Sequence, residues 1–344
     1  MRRLGRTGDG RVVIVEEPAP GITPRKALVR THFAALSAGT ETRLILERRR
    51  HPVTVDPPEP FGYSNAGVVV EAGAEVTRVR PGEAVACYGG PYVRHAEFNA
   101  VPRHLLSPLP EGVELRQAAF GGIGTIAVHI ARRGGYALAE KVLVVGQGIL
   151  GNLTAQVLAA AGVDVLASEL VPFRRRKAAE VGIRTVDPAA VDLEEEVRSW
   201  TEGVGLDGAV VLVSAQDPAL LDTVLGLCRE RARVLIAGGG GTGFAREIAF
   251  RKELEIIYPR AGGPGRYDPF YEEEGHDYPV GFVRWTEGRN LAAWLWLLHT
   301  GRVRVGPLVT HELPLEAAAQ AFELLIEEPD RALGVLLRFP AAEE

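Results

Sequence analysis

The chain has 344 residues, 46% of them hydrophobic and 24% charged, and a formal net charge of −5. This length predicts about two domains, and the acidic balance argues against a general nucleic-acid binder, which usually has a basic face. With Cys87 and Cys228 as its two cysteines, neither a disulfide framework nor a cysteine-rich zinc site is expected. The sequence shows no leader pattern and no uncharged apolar run of about 18 residues, so we expect a cytoplasmic protein without a membrane span.

The first 120 residues predict a β-rich domain. Short β-branched runs alternate there with glycine and proline, which is the pattern of strands joined by turns. Such a pattern suits a small, irregular, partly closed barrel. The predicted strands are Arg11–Glu16, Ala27–Phe33, Ala66–Ala72 and Glu83–Cys87.

Strands and helices alternate in the middle of the chain, after Pro110. The strands are apolar throughout, which predicts a parallel sheet covered by helices on both faces. The predicted strands are Val142–Val145, Val163–Ala167, Gly208–Val213 and Arg233–Ala237. The predicted helices are Glu114–Gly134, Leu150–Ala161, Pro172–Val181, Glu194–Thr201 and Pro218–Cys228.

The last part of the chain begins with a segment rich in glycine, proline and aromatic residues, Ala261–Asn290. Two predicted helices, Leu291–Thr300 and Pro314–Glu327, and a closing strand, Arg331–Arg338, follow it. Because the alternating unit is complete by about Pro259, we expect this part to fold back onto the first domain.

A glycine motif follows the first strand of the alternating unit. Val142–Gly151 has the pattern G-x-G-x-x-G between a predicted strand and a predicted helix. Gly146 permits a tight turn, Gly148 lets the backbone approach a pyrophosphate, and Gly151 lets the helix pack closely on the strand. Ile149 and Leu150 then offer free N–H groups at the helix N-terminus to the phosphates. The motif predicts a dinucleotide bound on a Rossmann domain.

The residues after the next strands indicate which dinucleotide binds. Glu169 lies 23 residues after Gly146, where a carboxylate would accept hydrogen bonds from the adenosine ribose and repel a 2′-phosphate. NAD(H) is therefore favoured, although Arg174, Arg175 and Arg176 at the following helix could instead bind the 2′-phosphate of NADP. The alternative is that these arginines form a solvated helix face. Ser214 and Gly238 end two further strands and are expected to line the nicotinamide half, where open α/β sheets bind ligands.

Several motifs together resemble the medium-chain dehydrogenase/reductase superfamily, which includes zinc-containing alcohol, sorbitol and threonine dehydrogenases. They are Ala38–Glu41, Phe61–Gly67, Val79–Val85 and the glycine motif. The resemblance extends over nearly the whole chain and implies an α/β fold with a GroES-like β-rich catalytic domain at 1–122 and a Rossmann domain with a doubly wound parallel sheet at 123–262. Residues 263–344 would return to the catalytic domain, with an insertion at 263–290. It also implies a small-molecule substrate and a homo-oligomer, a dimer or a tetramer.

The resemblance departs from the zinc-containing members at the metal ligands. Those members have Cys-Gly-Thr-Asp where this chain has Ala38–Glu41, Gly-His-Glu where it has Gly62–Ser64, and a third ligand near Gly121. Zinc requires three or four converging nitrogen, sulfur or oxygen ligands, so we expect no zinc. The chain is most similar to a zinc-less branch of oxidoreductases from bacterial surface-polysaccharide gene clusters, and more distantly to bacteriochlorophyllide dehydrogenases. The residues that carry this similarity are Ser37–Glu41, Gly62–Ser64, Gly263–Pro269 and Asp277–Glu287.

Without zinc, a side chain must handle the proton that accompanies hydride transfer. Tyr63, at the place of a zinc-binding histidine, is our first candidate as hydrogen-bond donor and acid. Thr40 keeps the family's relay hydroxyl, and the alternative is a hydroxyl bonded to local backbone. His95 is a third candidate and is better interpreted as a buried structural histidine.

These residues favour an NAD(P)-dependent oxidoreductase acting on a carbonyl or an activated alcohol, because tyrosine, which titrates near about 10, ionises an ordinary alcohol poorly at pH 7. One alternative is a quinone or enoyl-type reductase of activated C=C bonds. Another is a non-catalytic dinucleotide-binding subunit. Carbonyl reduction would favour the first function, C=C reduction the second, and NADH binding without turnover the third.

The long connection Gly263–Asn290 is also a candidate functional segment, because long connections inside compact domains are more often functional than idle. We expect its aromatic and basic residues to shape the substrate mouth or a subunit contact; the alternative is a packed surface loop. The residues concerned are Arg266, Tyr267, Tyr278, Arg284 and Trp285.

Overall fold

The computed structural model describes residues 1–213, 218–237 and 243–340. The chain divides into two compact units. None of the helices among the described residues is long and apolar enough to cross a membrane. The first unit comprises Met1–Ile126, Ala261–Gly301 and Leu308–Glu344, and the second comprises Ala127–Arg260 and Arg302–Pro307.

Strands and helices follow one another in an order that differs between the two units. The strands are β1 (Arg2–Arg6), β2 (Val12–Glu16), β3 (Lys26–Ala35), β4 (Glu59–Pro60), β5 (Ser64–Ala72), β6 (Ala84–Tyr88), β7 (Phe98–Pro102), β8 (Leu106–Pro108), β9 (Lys141–Val145), β10 (Asp164–Ser168), β11 (Thr185–Val186), β12 (Leu206–Val211), β13 (Cys228–Ile236), β14 (Glu255–Ile257), β15 (Val309–Pro314) and β16 (Gly334–Arg338). The helices are α1 (Thr40–Arg50), α2 (Leu115–Ala118), α3 (Gly121–Gly134), α4 (Ile149–Ala160), α5 (Pro172–Glu180), α6 (Leu193–Trp200), α7 (Pro218–Leu227), α8 (Arg246–Arg251), α9 (Pro269–Glu272), α10 (Glu287–His299) and α11 (Ala318–Glu327), with short 3₁₀ turns at Gly306–Leu308 and Leu315–Ala317.

The first unit contains a mixed sheet in the order β15-β16-β3-β5-β6-β8, with β7 also paired to β3. Its pairs are antiparallel except for β15 and β16, which run parallel. The carboxy-terminal strand β16 pairs with β3, with Leu336 opposite Ala35, so the end of the chain completes a sheet begun near its start. A smaller antiparallel sheet has the order β2-β1-β4.

The second unit contains a sheet in the order β11-β10-β9-β12-β13-β14, and every recorded pair in it is parallel. Its central strand β9 is almost wholly apolar, and Val142, Leu143 and Val144 have no exposed surface. Strands buried on both faces need such continuous apolar runs. The predicted parallel sheet is therefore confirmed, and β9 brings the glycine motif to its carboxyl edge.

Helix α1 is the largest element missing from the sequence prediction, which described the first 120 residues as β-rich. Its sequence, Thr40–Arg50, ends in a run of arginines, and its buried residues are Glu41, Thr42 and Ile45. A helix with one buried aliphatic side chain and two buried polar ones lacks the apolar stripe from which amphipathic helices are recognised.

Two predicted element boundaries in the carboxy-terminal region were wrong. The predicted helix Pro314–Glu327 begins only at Ala318, because Pro314 ends strand β15. The predicted helix Leu291–Thr300 begins earlier, at Glu287, where Thr286 caps it by accepting a hydrogen bond from Arg289 N. Polar first turns such as this one carry no apolar signal, so they are easily assigned to the preceding loop.

Candidate cofactor and active site

The glycine turn lies between β9 and α4 in the second unit. Gly146 has a φ of +93°, in the left-handed region that favours glycine. A Cβ atom on Gly151 would lie 2.0 Å from the carbonyl oxygen of Gly146, so only glycine lets the helix pack directly on the turn. A Cβ on Gly148 would meet no atom within 4 Å. The backbone therefore faces open space at Gly148, directly before the helix.

The N-terminus of α4 adjoins that open space. Gly148 is the N-cap of the helix, and the first recorded intrahelical bond to it comes from Asn152 N. The N–H groups of Ile149, Leu150 and Gly151 belong to the first turn, which has no intrahelical acceptors for them. Free N–H groups and the positive end of the helix dipole fit a pyrophosphate. The turn is thus suited to hold the phosphates of a dinucleotide.

Glu169 lies against the glycine turn, one residue beyond β10. Its Oε2 accepts a hydrogen bond from Gln147 N at 2.7 Å and its Oε1 accepts one from Val171 N at 2.9 Å. The Nη1 of Arg174 lies 3.9 Å from Oε2, and the Nε of Arg174 is buried without a hydrogen-bond partner. Each carboxylate oxygen can accept a second hydrogen bond, so Glu169 retains the capacity to bind a ribose hydroxyl.

Two other predicted cofactor contacts, Ser214 and Gly238, lie outside the described residues. The residues just before Ser214 are described and adjoin the glycine turn. A Cβ on Gly146 would lie 3.0 Å from Val213 Cγ1 and 3.1 Å from Leu212 O. The end of β12 and the glycine turn therefore lie side by side at the carboxyl edge of the sheet.

Tyr63 lies in the first unit, directly before β5. Its partly buried ring contacts that of Tyr88 edge to face, with 6.4 Å between the centroids. Its hydroxyl lies near the side chain of Ser37. Burial, and secondarily the charge of Glu41, raise the pKa of Tyr63 well above its ordinary value. The phenol therefore keeps its proton at neutral pH and is available as a hydrogen-bond donor.

Thr40 is the first residue of α1 and its side chain is exposed. Its backbone N–H donates to Ser37 Oγ at 3.2 Å. Ser37 thus accepts a hydrogen bond from the backbone of Thr40 and lies near the side chain of Tyr63, the two residues that the sequence predicted as catalytic. Whether Thr40 relays a proton stays a prediction.

Glu41 and His95 form a buried acid–base pair near Tyr63. His95 was the third catalytic candidate, but its pairing with Glu41 was not predicted. Glu41 Oε1 is 2.9 Å from His95 Nε2, and the two side chains are 4% and 1% exposed. Glu41 Oε2 also accepts a hydrogen bond from Ser37 N at 2.8 Å. His95 is buried as expected. The signal that could have revealed the pair is the acidic residue inside the Ala38–Glu41 motif, although its partner is distant in sequence.

The positions that correspond to zinc ligands carry a donor set that does not fit zinc. Ala38 has no side-chain donor atom, Tyr63 offers only a phenol that keeps its proton at neutral pH, and Gly121 has no side chain and is packed in the interior. A Cβ on Gly121 would lie 3.0 Å from Leu291 Cδ1. Nowhere in the described part of the chain do three or more His, Cys, Asp or Glu side chains form a group that could hold a metal ion.

Arg266 is buried rather than extended into solvent. It donates hydrogen bonds to Glu272 Oε1 and to the carbonyl oxygen of Gly90. Its guanidinium carbon lies 4.1 Å from the ring centroid of Tyr267 and 5.7 Å from that of Tyr88. Arg266 and the half-exposed Tyr267 are thereby joined to Tyr63 through Tyr88.

The other predicted substrate residues of the 263–290 segment lie in two separate contacts. The Tyr278 hydroxyl donates a hydrogen bond to Asp268. The guanidinium of the exposed Arg284 stacks over the ring of Trp285, with 3.9 Å to the centroid. These contacts order the segment, and a role of its residues in binding substrate stays a prediction.

The family match and the similar proteins of known activity all point to dehydrogenases. The zinc-binding dehydrogenase family matches residues 150–271. Sorbitol dehydrogenase from Pongo abelii is 25% identical over 345 residues, covering 92% of this chain and 90% of that protein. L-threonine 3-dehydrogenase from Symbiobacterium thermophilum is 27% identical over 359 residues, covering 94% of each.

Among solved structures, the alcohol dehydrogenase TADH from Thermus sp. ATN1 has the same fold, with a TM-score of 0.79 and 24% identity over 99% of this chain and all of that chain. This likeness confirms the predicted α/β fold with GroES-like and Rossmann parts. The predicted family is confirmed as well. The chain belongs to the medium-chain dehydrogenase/reductase superfamily of oxidoreductases.

Proposed function

We propose that this protein is a zinc-independent, NAD(H)-dependent oxidoreductase that interconverts a carbonyl and an alcohol, with Tyr63 as the proton-handling group. The observation that carries the proposal is a protonated, partly buried phenol at the position of a zinc-binding histidine, packed edge to face on Tyr88. When bound, the nicotinamide supplies or accepts the hydride. The protein must then supply a donor for the reacting oxygen.

A phenol in this position serves carbonyl reduction well. Tyr63 would donate a hydrogen bond to the carbonyl oxygen and then give up its proton as negative charge develops there. Because burial and Glu41 raise the pKa of Tyr63, it loses its proton only to a strongly basic oxygen, such as an alkoxide. The same property makes the reverse reaction, deprotonation of an unactivated alcohol, unfavourable near pH 7.

Zinc independence is supported by the donor set at Ala38, Tyr63 and Gly121. The match to zinc-binding dehydrogenases spans residues 150–271, so it includes none of these three positions. Tyr63 would therefore perform the task that a metal performs in other members, namely polarising the carbonyl oxygen.

A preference for NAD(H) over NADP(H) is supported by the position of Glu169. Its carboxylate lies against the glycine turn, where the adenosine ribose is expected. The carboxylate would accept a hydrogen bond from the 2′-hydroxyl and repel a 2′-phosphate. Arg174 lies close enough to offset part of this repulsion, but Glu169 is hydrogen-bonded to the turn itself.

We further propose that the 263–290 segment borders the substrate, because Arg266 and Tyr267 reach Tyr63 through Tyr88.

A homo-oligomer is also expected. In the second unit β14 is an edge strand, and Phe250, near it, is 76% exposed. Unpaired strand edges beside apolar surface favour association with another chain. Light scattering that finds only monomers at micromolar concentration would contradict the oligomer.

The proposed reaction is tested with purified protein, NADH and a panel of electrophiles. Glyceraldehyde, 4-nitrobenzaldehyde and cyclohexanone represent carbonyl substrates, and 2-cyclohexenone and 1,4-benzoquinone represent activated C=C substrates and quinones. Reduction of the carbonyl compounds is the expected result. Turnover confined to the last two compounds would favour a quinone or enoyl-type reductase, and tight NADH binding without any turnover would favour a non-catalytic subunit.

The role of Tyr63 is tested by comparing Tyr63→Phe with Thr40→Val. The first variant keeps the ring and removes the donor, so turnover should fall by about 10²–10³, the usual effect of losing one well-placed donor. NADH affinity should remain nearly unchanged, because the glycine turn lies in the other unit. Thr40→Val should cost less if that hydroxyl only relays the proton. Undiminished turnover in Tyr63→Phe would transfer the role to Thr40 or to a bound water.

A further inference from the structure

The loop that follows β6, residues 89–92, lies against Tyr63 in the first unit. Gly89 N donates a hydrogen bond to Tyr63 O at 2.9 Å, and a Cβ on Gly90 would lie 3.9 Å from Tyr63 Cβ. Tyr88, the last residue of β6, contacts the Tyr63 ring edge to face. Both the backbone and the side chain of Tyr63 therefore adjoin this part of the chain, so the position of the phenol depends on where the loop is held.

Arg266, from the 263–290 segment, contacts this part of the chain in two ways. Its Nη2 donates a hydrogen bond to the carbonyl oxygen of Gly90. Its guanidinium carbon lies 5.7 Å from the ring centroid of Tyr88, within the range of a cation–π contact. Both partners of Arg266 are residues that adjoin Tyr63, so the guanidinium group is one residue removed from the phenol along each path.

Arg266 is itself held by a buried carboxylate. Its Nη1 donates a hydrogen bond to Glu272 Oε1, and the two side chains are 7% and 5% exposed. A buried charge is tolerated where it is paired and hydrogen-bonded in this way. Because the guanidinium group is planar and its donors point in fixed directions, simultaneous bonds to Glu272 and Gly90 fix its orientation. Bonds made inside the protein indicate that Arg266 holds the loop rather than binds substrate.

We infer that Arg266 is a positioning residue for Tyr63. By holding the Gly90 carbonyl and the Tyr88 ring, it keeps the phenol at one distance and direction from the reacting oxygen. Such placement matters because small displacements of a catalytic group from its productive geometry lower the rate steeply. The inference rests on the proposed function of Tyr63, and it gives Arg266 a role other than the substrate contact that the sequence predicted.

Removing the guanidinium group should affect catalysis more than binding. The Gly90 carbonyl would lose its donor and the Tyr88 ring its cation, so the loop and the adjoining phenol would sample more positions. The kcat for carbonyl reduction should therefore fall about tenfold, the equivalent of one ordinary hydrogen bond. The KM for the carbonyl compound should stay nearly unchanged, because in this role Arg266 does not touch it. The KM for NADH should also stay unchanged, because the glycine turn lies in the other unit.

The experiment compares two variants that lack the guanidinium group with a matched control, using the carbonyl compound that the panel identifies. Arg266→Lys keeps a positive charge beside Glu272 but lacks the planar fork that reaches both partners. The double variant Arg266→Met with Glu272→Gln removes the ion pair without leaving an unpaired buried charge, the usual cause of misfolding after such a change. Arg103→Lys is the control, because Arg103 likewise donates to the carbonyl oxygen of a glycine, Gly275, while its recorded partners, Gly275 and Glu75, are not residues of the loop.

A spectroscopic readout separates this inference from the proposed function. Protein labelled with ¹³C at the Cζ of its eight tyrosines gives a Tyr63 resonance that is assigned by its loss in Tyr63→Phe. That resonance should shift in both Arg266 variants and stay in place in Arg103→Lys, whether or not any carbonyl compound is turned over. If the protein reduces no carbonyl compound, the proposed function fails, while this shift still tests whether Arg266 positions Tyr63.

A lower kcat with unchanged KM and a shifted Tyr63 resonance in both Arg266 variants would support the inference. A higher KM for the carbonyl compound, with kcat retained and the Tyr63 resonance in place, would overturn it and show that Arg266 binds substrate directly. An unchanged resonance in both variants, or a shifted resonance with unchanged kcat, would also overturn it. So would an equal loss of kcat in Arg103→Lys, because any loosening of the chain would then have the same effect.

Discussion

Glu287 is the residue whose environment is least expected from its chemistry. It is the first residue of α10, it has no exposed surface, and neither of its carboxyl oxygens has a hydrogen-bond partner. Arg266 Nε lies 4.0 Å from Glu287 Oε2, but the same guanidinium group also pairs with the carboxylate of Glu272. Burial, followed by the charge of Glu272, raises the pKa of Glu287 to about 9. At neutral pH this side chain is therefore a neutral carboxylic acid.

This raised pKa makes stability depend on pH in a definite direction. An unfolded glutamate titrates near about 4.3, so between that pH and about 9 the folded state binds a proton that the unfolded state does not. The contribution of Glu287 to stability is full below the unfolded pKa and is lost progressively as pH rises towards 9. Tyr88 and Tyr271 lie near this carboxyl group: burial raises the pKa of both, and the ionised form of Glu287 raises it further.

We expect Glu287→Gln to remove that dependence, because glutamine resembles the neutral acid at every pH. The variant should match the wild type near pH 5 and be more stable than it near pH 9, by on the order of a few kcal/mol at about 1.4 kcal/mol per pKa unit. Urea denaturation at each pH measures the difference. Glu327→Gln, an exposed position on α11, is the control and should show no such trend. A pH-independent difference between Glu287→Gln and the wild type would contradict the neutral acid.

Glu169 provides a second test at the scale of one residue. Fluorescence titration should show that NADH binds more tightly than NADPH, since the carboxylate accepts from a ribose hydroxyl and repels a phosphate. Glu169→Gln should reduce that preference by about tenfold or more, the value of a hydrogen bond to a charged group. Arg174→Gln is the matched control and should leave NADH binding nearly unchanged. Tighter NADPH binding by the wild type would show that the arginines at the start of α5 dominate.

At the scale of elements, Gly124 in α3 lets that helix pack directly against Trp294 in α10. A Cβ on Gly124 would lie 2.0 Å from the Trp294 indole, which has no exposed surface. A shift of the indole would disturb the fully buried neighbours of Trp294 on α10, including Leu291 and Leu295. Gly124 therefore sets the distance between the two helices.

Gly124→Ala should destabilise the protein even though alanine is the better helix former. Overpacking typically costs about 1–3 kcal/mol, which exceeds the gain of about 1 kcal/mol from helix propensity. Gly226→Ala is the matched control, because Gly226 is also helical, in α7, and a Cβ there meets nothing within 4 Å. Scanning calorimetry should show a lower melting temperature for the first variant and an equal or higher one for the second. Equal melting temperatures for both would show that Trp294 adjusts without cost.

The elements also show which structural features could be predicted from the sequence. The glycine turn could be predicted because Gly146, Gly148 and Gly151 act within ten residues of one another and their spacing reflects local geometry. The pair of Glu41 and His95 could not, because its members are separated by 54 positions and neither lies in a periodic pattern. Arg266 was expected to face substrate, and only the packed structure shows its guanidinium bonded to Glu272 and Gly90.

For the whole molecule, the parallel sheet of the second unit followed from its apolar strands, whereas the arrangement of the first unit did not. There, strand β3 pairs with β5, β7 and β16, and so gathers partners from both ends of the chain. Short runs with no fixed spacing cannot specify such pairings, since antiparallel register depends on side-chain packing between distant segments. The candidate active-site residues of the first unit depend on that packing, which explains why Tyr63 was predicted by its position in a family motif rather than by its neighbours.

Metal content is a property of the whole molecule and tests the donor set directly. With Ala38, Tyr63 and Gly121 at the ligand positions and no three-residue His, Cys, Asp or Glu group among residues 1–213, 218–237 and 243–340, purified protein should contain well under one zinc per chain by elemental analysis. A metal bound only by the folded state would stabilise it by mass action, and removing a structural zinc would lower stability. Dialysis against EDTA should therefore leave the melting temperature and NADH affinity unchanged. Stoichiometric zinc that survives dialysis, or a melting temperature that falls with EDTA and recovers with added zinc, would refute zinc independence and with it the assignment of carbonyl polarisation to Tyr63.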